Sequence, residues 1–214
     1  MSLAGAIAKH ALAALSPRRV QLRGSGRAPR LALTFDDGPH PEHTPRILDA
    51  LEHAGARASF FVQGDNAARH PALVRELHAR GHLVANHAAS HRRPRELGAE
   101  AYVREVADTQ RLLDDIVGRA LPRRFRPPFG DTSLRTLARL SREGFRFVYW
   151  SRDSRDSWLR TPEALHGDFE ARPPAPGDIV LFHDDYAHTA AALPGLLEGL
   201  RRRKLAAVTV EDLP

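Results

Sequence analysis

The chain has 214 residues, of which 42% are hydrophobic and 27% are charged, a composition typical of one soluble globular domain with a full hydrophobic core. Its net charge of +6 comes almost wholly from arginine, since Lys9 and Lys204 are the only lysines among 32 basic residues, and it has no basic stripe interleaved with aromatic residues, which argues against a nucleic-acid partner. The absence of cysteine excludes disulfides and thiolate ligands, so a bound metal would have to be held by His, Asp or Glu.

Residues 1–29 are predicted to form a short N-terminal helix followed by an irregular segment. Residues 1–16 are apolar and rich in alanine, but a lysine and a histidine interrupt the run, no basic segment precedes it, and it is too short to span a bilayer. We interpret this stretch as a helix and expect no signal peptide, no membrane span and a cytoplasmic protein. An exported protein is the alternative if the Met-Ser-Leu start replaces a native leader. Residues 18–30 are rich in Arg, Gly and Pro, and a single domain is predicted over residues 30–214.

Strands and helices alternate along the rest of the chain. Helices are predicted to begin near Thr44, Pro71, residue 99, Thr132, Thr161 and residue 189, and strands to occupy residues 31–35, 58–62, 82–85, 123–126, 146–150, 179–182 and 206–210. About seven βα units of this kind predict a parallel sheet with helices outside it. Seven repeats in one domain favour a barrel over an open sheet. In such barrels the chemistry lies on loops at the carboxyl ends of the strands, where all the motifs described next fall.

Two adjacent aspartates, Asp36 and Asp37, follow the first of these strands. Asp-Gly-Pro is common in turns, but burying two neighbouring negative charges is costly unless a cation or hydrogen-bond donors compensate them. His87 and His91 follow a later strand, and their spacing would let both imidazoles converge if residues 87–91 formed one helical turn. Two histidines and one aspartate are the protein ligands of an open catalytic zinc site, which leaves the second aspartate as a base for water. Each pair alone is also common in loops and surface helices, so the prediction depends on their combination.

The segment Arg126-Pro127-Pro128-Phe129-Gly130 has a backbone path restricted by proline and a glycine that permits close approach to a substrate. It is also simply a loop between a strand and a helix. As a functional segment, it would offer Arg126 to a nearby carboxylate and the backbone N–H of Phe129 to an oxyanion.

A histidine, His183, closes the strand over residues 179–182, where a general acid would be needed opposite the base. A lone histidine in that position is more often structural. Asp153, Asp156 and Trp158 follow the strand over residues 146–150, and they would tune this histidine and form a wall of an apolar pocket.

With these motifs in this order, the chain resembles the polysaccharide deacetylase family, carbohydrate esterase family 4. The family includes the chitooligosaccharide deacetylases of nodulation, the peptidoglycan N-acetylglucosamine deacetylases and the chitin deacetylases. The resemblance covers roughly residues 30–210 and rests above all on the segments Leu33–Pro45 and Gly81–His91. It implies a distorted barrel of seven to eight βα units.

The resemblance also implies the roles of the acidic and histidine residues. Asp36 matches the family's catalytic base. Asp37, His87 and His91 match the three ligands of one divalent metal, with zinc expected ahead of cobalt or nickel. His183 matches the catalytic acid that protonates the departing amine.

The remaining motifs imply orienting and substrate-binding roles. Arg126 is expected to keep the base ionised, and Asp156 is expected to keep the catalytic histidine cationic. Residues that match the family's groove and acetate pocket are Pro128, Phe129, Gly130, Trp158 and Leu181.

The chain departs from the family pattern at two positions. Family members usually carry Ser or Thr directly after the first metal-binding histidine, where this chain has Ala88, so Ser90 is expected to take over part of the missing role. The family usually has Asp directly before Trp, whereas Ser157 intervenes here. Neither departure removes a metal ligand, but both affect the shape of the pocket and hence the substrate.

The function that the sequence predicts is metal-dependent hydrolysis of N-acetyl groups on the hexosamines of an acetylated glycan. Alternatives that share the site are a hydrolase of cyclic imides, ureides or small acetylated amines, and an O-acetyl xylan esterase. A glycan-binding module without catalysis is a further alternative, motivated by Ala88 and Ser157. The sequence indicates neither the sugar, the linkage nor the oligomeric state.

Overall fold

The computed structural model describes residues 19–213, so the helix predicted over residues 1–16 lies outside the described part of the chain. Within the described residues, nine strands form one sheet in which every pairing is parallel. The strands are β1 (Val20–Gln21), β2 (Arg30–Asp36), β3 (Ser59–Val62), β4 (Leu83–Asn86), β5 (Arg124–Phe125), β6 (Arg146–Val148), β7 (Arg152–Asp153), β8 (Ile179–His183) and β9 (Ala206–Val208).

Helices connect most of these strands. They are α1 (His43–His53), α2 (Gly64–Arg69), α3 (Pro71–Ala79), α4 (Pro94–Leu97), α5 (Ala99–Val117), α6 (Leu134–Arg142), α7 (Pro162–Ala171) and α8 (Ala187–Arg202), with a 3-10 turn at Pro128–Gly130. Across residues 19–213 the helices are all too short or too polar to cross a membrane.

The strand order is β1-β6-β5-β4-β3-β2-β8-β7, and β9 also pairs with β2. The sheet curls into a half-barrel with the helices around it, and in the described residues no pairing joins β1 to β7. The predicted fold class, a distorted barrel of parallel strands inside and helices outside, is therefore confirmed.

The central strand β2 shows how the sequence places the site. Its residues alternate between two faces, as the two-residue period of a strand requires. Leu31, Phe35 and the leucine between them pack in one buried cluster with residues of the outer helices. Ala32 belongs to a second cluster built almost wholly from strand residues, inside the curl of the sheet. Thr34 and Asp36 lie on the same face of β2 as Ala32, so the last residue of the strand points to the interior.

Several short elements differ from the sequence prediction. The prediction of an irregular segment over residues 18–30 is wrong at Val20–Gln21, because these two residues form β1 and pair with β6. The two-residue strand Arg152–Asp153 and the helices Gly64–Arg69 and Pro94–Leu97 were not predicted. Segments of two to six residues are too short to show a hydrophobic period, and pairing or packing with the rest of the fold decides their conformation.

Candidate metal and catalytic site

The last residue of β2, Asp36, forms a buried ion pair with Arg126, the residue after β5. Arg126 is fully buried and Asp36 is 3% exposed. Arg126 Nη1 donates to Asp36 Oδ1 at 2.6 Å and to Thr34 Oγ1 at 2.8 Å. Its Nε and Nη2 donate to the backbone carbonyls of Val148 at 3.1 Å and Tyr149 at 3.0 Å. Because the guanidinium is held by four acceptors on two strands or their ends, it fixes the carboxylate of Asp36 at the carboxyl edge of the sheet.

The next residue, Asp37, turns the chain with a positive φ of 77°. Its carbonyl accepts a 2.6 Å hydrogen bond from the side chain of Asn66, and its Oδ1 accepts a 2.7 Å hydrogen bond from Gln63 Nε2. A positive φ is unfavourable for a non-glycine residue, so these contacts stabilise the conformation that turns Asp37 away from Asp36. The two adjacent carboxylates thereby reach different partners.

His87 is almost completely buried and held in one orientation. Its Nδ1 lies 2.7 Å from the carbonyl oxygen of Arg126, which can only accept, so Nδ1 carries the proton and Nε2 keeps its lone pair. Nε2 lies 3.5 Å from Asp37 Oδ1 and 3.8 Å from Asp36 Oδ2. An imidazole with its second nitrogen engaged by a carbonyl is the usual arrangement of a metal-ligating histidine.

His91 reaches the same carboxylate by a route that differs from the sequence prediction. Residues 87–91 form no helical turn; they are an irregular loop in which Ala88 and His91 have positive φ values of 62° and 54°. These two left-handed residues turn the chain back so that His91 Nε2 lies 3.2 Å from Asp37 Oδ1. The two imidazoles converge as predicted, but the prediction of a helical turn over residues 87–91 is wrong.

The donor atoms of Asp37, His87 and His91 lie within 4.8 Å of one another, as a group that can hold a metal ion. A tetrahedral ion with bonds of about 2.0–2.1 Å separates its ligands by roughly 3.3 Å. The two nitrogen-to-oxygen distances of 3.5 and 3.2 Å lie close to that separation. Two neutral nitrogens and one carboxylate oxygen also suit a borderline ion such as zinc. The residues present therefore fit a divalent metal.

Electrostatics in the cluster favour the forms that bind a cation. Burial acts to raise the pKa of Asp37, but electrostatic interactions with His87, His91 and His183 and the hydrogen bond from Gln63 outweigh it, so the pKa is lowered. Burial lowers the pKa of His91, against the opposing effect of Asp37. An ionised carboxylate and a neutral imidazole are the protonation states that metal ligands need.

His183 lies at the end of β8, where its ring meets a buried carboxylate. Its Nδ1 donates to Asp156 Oδ1 at 2.7 Å, and its backbone N–H donates to Asp156 Oδ2 at 2.7 Å. Thr189 also donates to Oδ2, at 2.9 Å. Burial acts to lower the pKa of His183, but the hydrogen bond and charge of Asp156, with the charges of Asp36 and Asp37, raise it to about 10. The histidine is a cation across the neutral pH range.

A further acid, Asp184, supports the turn at Asp37 from the opposite side. Its Oδ2 accepts a 2.6 Å hydrogen bond from the hydroxyl of Thr44, and its backbone N–H donates to the carbonyl of Asp36 at 3.2 Å. Its carboxylate lies so close to Gly38 that a Cβ there would be 2.0 Å from Oδ2. Burial raises the pKa of Asp184 to about 7. Thr44, near which a helix was predicted to begin, is the second residue of α1 and links this acid to the turn.

The segment after Arg126 forms one edge of the site. Phe129 has a positive φ of 60°, is 46% exposed, and its ring centroid lies 4.4 Å from that of His91. The guanidinium carbon of Arg93 lies 3.8 Å from the centroid of the Phe129 ring. Pro128 is buried, and Gly130 also has a positive φ. The structure thus places these residues beside the cluster of Asp37, His87 and His91, while their roles in binding substrate stay predictions.

The segment after β7 separates the two residues of its motif. Asp156 is buried under His183, whereas the side chain of Trp158, beyond the intervening Ser157, is 79% exposed. Asp153 does not share the role of Asp156, because its Oδ1 accepts the backbone N–H two residues later at 2.8 Å. Leu181 is 5% exposed and lies on the same face of β8 as His183. The substrate-binding roles of Trp158 and Leu181 stay predictions.

The sequence analysis missed the residues that hold the site in shape. Gln63, Asn66 and Asp184 contact the aspartates or their turn, and Thr34 accepts a hydrogen bond from Arg126. The first two and Thr34 are uncharged, and Asp184 stands directly after His183. Their positions in the sequence could have indicated that two of them lie near the site. Thr34 lies two residues before Asp36 on the same face of a strand, and Gln63 follows the neighbouring strand β3.

Comparisons with known proteins agree with this geometry. Residues 23–148 match the family model described as polysaccharide deacetylase. The chain is similar to a chitooligosaccharide deacetylase of Azorhizobium caulinodans, at 35% identity over 82% of this chain and 83% of the relative. It is similar to a peptidoglycan-N-acetylglucosamine deacetylase of Bacillus cereus, at 33% identity over 86% and 87%. A solved peptidoglycan N-acetylglucosamine deacetylase in complex with 4-naphthalen-1-yl-N-oxidanyl-benzamide superimposes with a TM-score of 0.87, at 27% identity over 94% of this chain and 95% of the other.

Proposed function

The chain belongs to the polysaccharide deacetylase family, and from that premise we propose that it is a metal-dependent hydrolase that removes N-acetyl groups from hexosamines of a glycan. The observation that carries this proposal is the placement of two charge pairs beside one group of metal-binding donors. Asp36 with Arg126 supplies a base, and His183 with Asp156 supplies an acid. A site that holds both near one cluster has the groups that acyl transfer to water requires.

Asp37, His87 and His91 would hold a divalent ion, zinc ahead of cobalt or nickel. When bound, the ion supplies Lewis acidity, which makes water a stronger nucleophile near neutral pH and polarises the acetamide carbonyl.

Asp36 takes the proton of the attacking water. Arg126 compensates the charge of this buried carboxylate through the bond to Oδ1, while Oδ2 faces the donor cluster, 3.8 Å from His87 Nε2. The ionised carboxylate is thereby available as an acceptor without the high energy of an unpaired buried charge. The water oxygen bonds to the carbonyl carbon as its proton passes to Asp36.

His183 completes the reaction on the amine side. Its Nδ1 proton is held by Asp156, so Nε2 carries the proton that can be transferred. As the C–N bond breaks, the amine nitrogen takes that proton, and the products are acetate and a free amino group on the sugar. The backbone N–H of Phe129 is proposed to donate to the developing oxyanion, and Leu181 to contact the methyl group of the acetate.

The proposed substrate class is an oligosaccharide or polysaccharide of N-acetylglucosamine, as the names of the relatives indicate for those proteins. The exposed Phe129 and Trp158 offer aromatic surface to neighbouring sugars, and an open site of this kind should act better on oligomers than on a monomer.

The experiment is acetate release by the purified, zinc-loaded protein from a length series of N-acetylglucosamine oligomers. A chelated sample, the variant Asp36→Asn and acetylated xylan serve as controls. Release that depends on metal and rises with oligomer length is expected. Release from xylan alone would point to an ester substrate, and release from short acetylated amines without a length effect would point to a small-molecule C–N hydrolase. No release from any of these by the metal-loaded protein would contradict the proposed function.

A further inference from the structure

The loop between His87 and His91 has no regular secondary structure, so contacts from outside the loop must set its shape. Its first residues are fixed by the neighbouring elements: the N–H of Ala88 donates to Asn86 Oδ1 at 2.9 Å, and the carbonyl of Ala88 accepts from the N–H of Gly64 at 2.9 Å. In the second half of the loop, which leads into His91, the carbonyl of Ala89 accepts from the N–H of Asp65 at 3.2 Å, and a side chain makes the remaining contacts.

One carboxylate oxygen receives three hydrogen bonds from this second half. Glu105 Oε1 accepts the backbone N–H of Ala89 at 3.0 Å, the backbone N–H of Ser90 at 3.0 Å and the hydroxyl of Ser90 at 2.9 Å. Ala88, the residue before these two N–H groups, has a left-handed φ of 62°. Consecutive N–H groups arranged in this way form a concave site for an anion, and a charged acceptor strengthens each bond.

Glu105 itself is held rigidly. It lies near the middle of α5, a helix of 19 residues, and its neighbours Tyr102, Val103 and Val106 are buried. A carboxylate on such a helix is fixed relative to the sheet, so it ties the loop to the body of the domain. Helix α5 otherwise contributes no group to the site described above.

The two metal-binding histidines depend on this contact to different degrees. His87 is 2% exposed and has its own bond to the carbonyl of Arg126. His91 comes directly after Ser90, and its side chain is 29% exposed. A change in the second half of the loop should therefore displace His91 and leave His87 in place.

We propose that Glu105 is a positioning residue for His91, which holds the loop in the shape that brings His91 Nε2 to Asp37. This inference rests on the metal site of the proposed function. The bond from Ser90 to Glu105 also agrees with the expectation that Ser90 takes over part of the role of the hydroxyl missing at Ala88.

The test measures zinc affinity by competition with a chelator, for wild-type protein and the variants Glu105→Ala, Glu105→Gln and Ser90→Ala. Loss of an outer residue that orients a metal ligand weakens metal affinity by about 10- to 100-fold. We expect Glu105→Ala to fall in that range, and Glu105→Gln and Ser90→Ala to show smaller losses. At saturating zinc the kcat of each variant should recover to within a few-fold of wild type, since no group that contacts substrate has changed.

The matched control is Asp108→Asn, on the same helix. Asp108 is exposed, pairs with Arg111, and lines the same surface depression as Glu105 and Ala89. The substitution Asp108→Asn removes a negative charge from the same helix face without changing a contact to the loop. The zinc affinity of this variant should therefore stay within about twofold of wild type.

Thermal unfolding of the metal-free proteins separates positioning from general stability. A Glu105→Ala protein that unfolds at a lower temperature but binds zinc as wild type does would overturn the inference. If Glu105→Ala fails to fold, Ser90→Ala decides, because it removes the hydroxyl that donates to Glu105, together with the bond that this hydroxyl accepts from Arg92 Nε at 3.0 Å. An unchanged zinc affinity in Ser90→Ala overturns the inference as well. If the wild-type protein itself binds no divalent metal, the result contradicts the proposed function. That outcome is distinct from a failure of the contact between Glu105 and the loop, which only the variants test.

Discussion

Asp156 accepts two hydrogen bonds from one residue, His183: one from the ring Nδ1 and one from the backbone N–H, both 2.7 Å long. The two bonds use different oxygens of the carboxylate. They fix the orientation of the imidazole relative to its own backbone, and the carboxylate also favours the protonated form of the ring. Such an arrangement leaves Nε2 as the ring nitrogen that faces the site with a transferable proton.

The first prediction concerns the titration of His183 in the metal-free protein. We expect an NMR titration to give a pKa near 10 for its ring, and Asp156→Asn to lower that pKa towards the ordinary value of 6.5. Because the pKa is raised in the folded state, the protonated ring stabilises the fold fully below about pH 6.5, and this contribution is lost as the pH rises through about 10. Asp153→Asn is the control, since that carboxylate bonds a nearby backbone N–H instead of the ring. An unchanged pKa in Asp156→Asn would contradict the assigned cause.

The second prediction concerns Arg126, which is fully buried and bonded to four acceptors. Arg126→Ala leaves the buried carboxylate of Asp36 without a partner, and removing one member of a buried pair costs about 3–5 kcal/mol. Urea unfolding should show a loss of that size in the free energy of unfolding. Arg123→Ala is the control, because Arg123 is exposed and donates to a single backbone carbonyl; its loss should stay below about 1 kcal/mol. An equal loss of unfolding free energy in Arg126→Ala and Arg123→Ala would contradict a stabilising ion pair between Arg126 and Asp36.

The third prediction separates the two adjacent aspartates. Asp36→Asn should reduce kcat by about 10²- to 10⁴-fold, the usual contribution of a general base, while zinc content stays at one ion per chain. Asp37→Ala should lose the zinc itself, since it removes a member of the donor cluster.

Thermal unfolding with and without zinc provides the second measurement for this pair. An ion present at 100 times its Kd stabilises the folded state by about 2.7 kcal/mol. Wild type and Asp36→Asn should show the upward shift in Tm, and Asp37→Ala should not. If zinc raises the Tm of Asp37→Ala as much as that of wild type, Asp37 is not a ligand of the metal.

The fourth prediction concerns Gly38, where a Cβ would lie 2.0 Å from Asp184 Oδ2. Gly38→Ala should lower the free energy of unfolding by about 3 kcal/mol, the upper end of the usual range for overpacking. Gly167→Ala is the matched control: Gly167 lies inside α7 and a Cβ there meets nothing within 4 Å. That substitution should stabilise the protein by about 0.5–1 kcal/mol through helix propensity. Adding Asp184→Ala to Gly38→Ala should recover part of the loss if the clash is its cause.

The fifth prediction concerns Trp158, which is 79% exposed beyond the buried Asp156. Because the side chain buries little surface, Trp158→Ala should change the free energy of unfolding by less than about 0.5 kcal/mol. If the ring contacts a neighbouring sugar, KM for a long oligomer should rise by about tenfold, equivalent to about 1.4 kcal/mol, with kcat nearly unchanged. A monomeric substrate is the control and should show no such rise. An unchanged KM for every oligomer would exclude a contact between this tryptophan and the glycan.

The amino-acid sequence by itself determined the order and type of the longer elements. The strand over residues 31–35 and the helices that begin near Thr132 and Thr161 depend on local signals, and each appears where it was predicted. Parallel pairing then follows from the βα alternation, since consecutive strands joined by helices must run in the same direction. The same rule places Asp36, His87, Arg126 and His183 at one edge of the sheet before any distance is known.

The tertiary structure alone decided the contacts across that edge. His91 meets Asp37 through left-handed residues in an irregular loop, and Glu105 holds that loop from a helix that no motif marks as part of the site. The strands β1 and β7 exist because a partner strand completes their hydrogen bonds. Local sequence encodes periodicity, caps and turns because these depend on residues within one or two turns of chain. Positive φ values in non-glycine residues and two-residue strands are instead stabilised by partners far away in sequence, so only the assembled fold determines them.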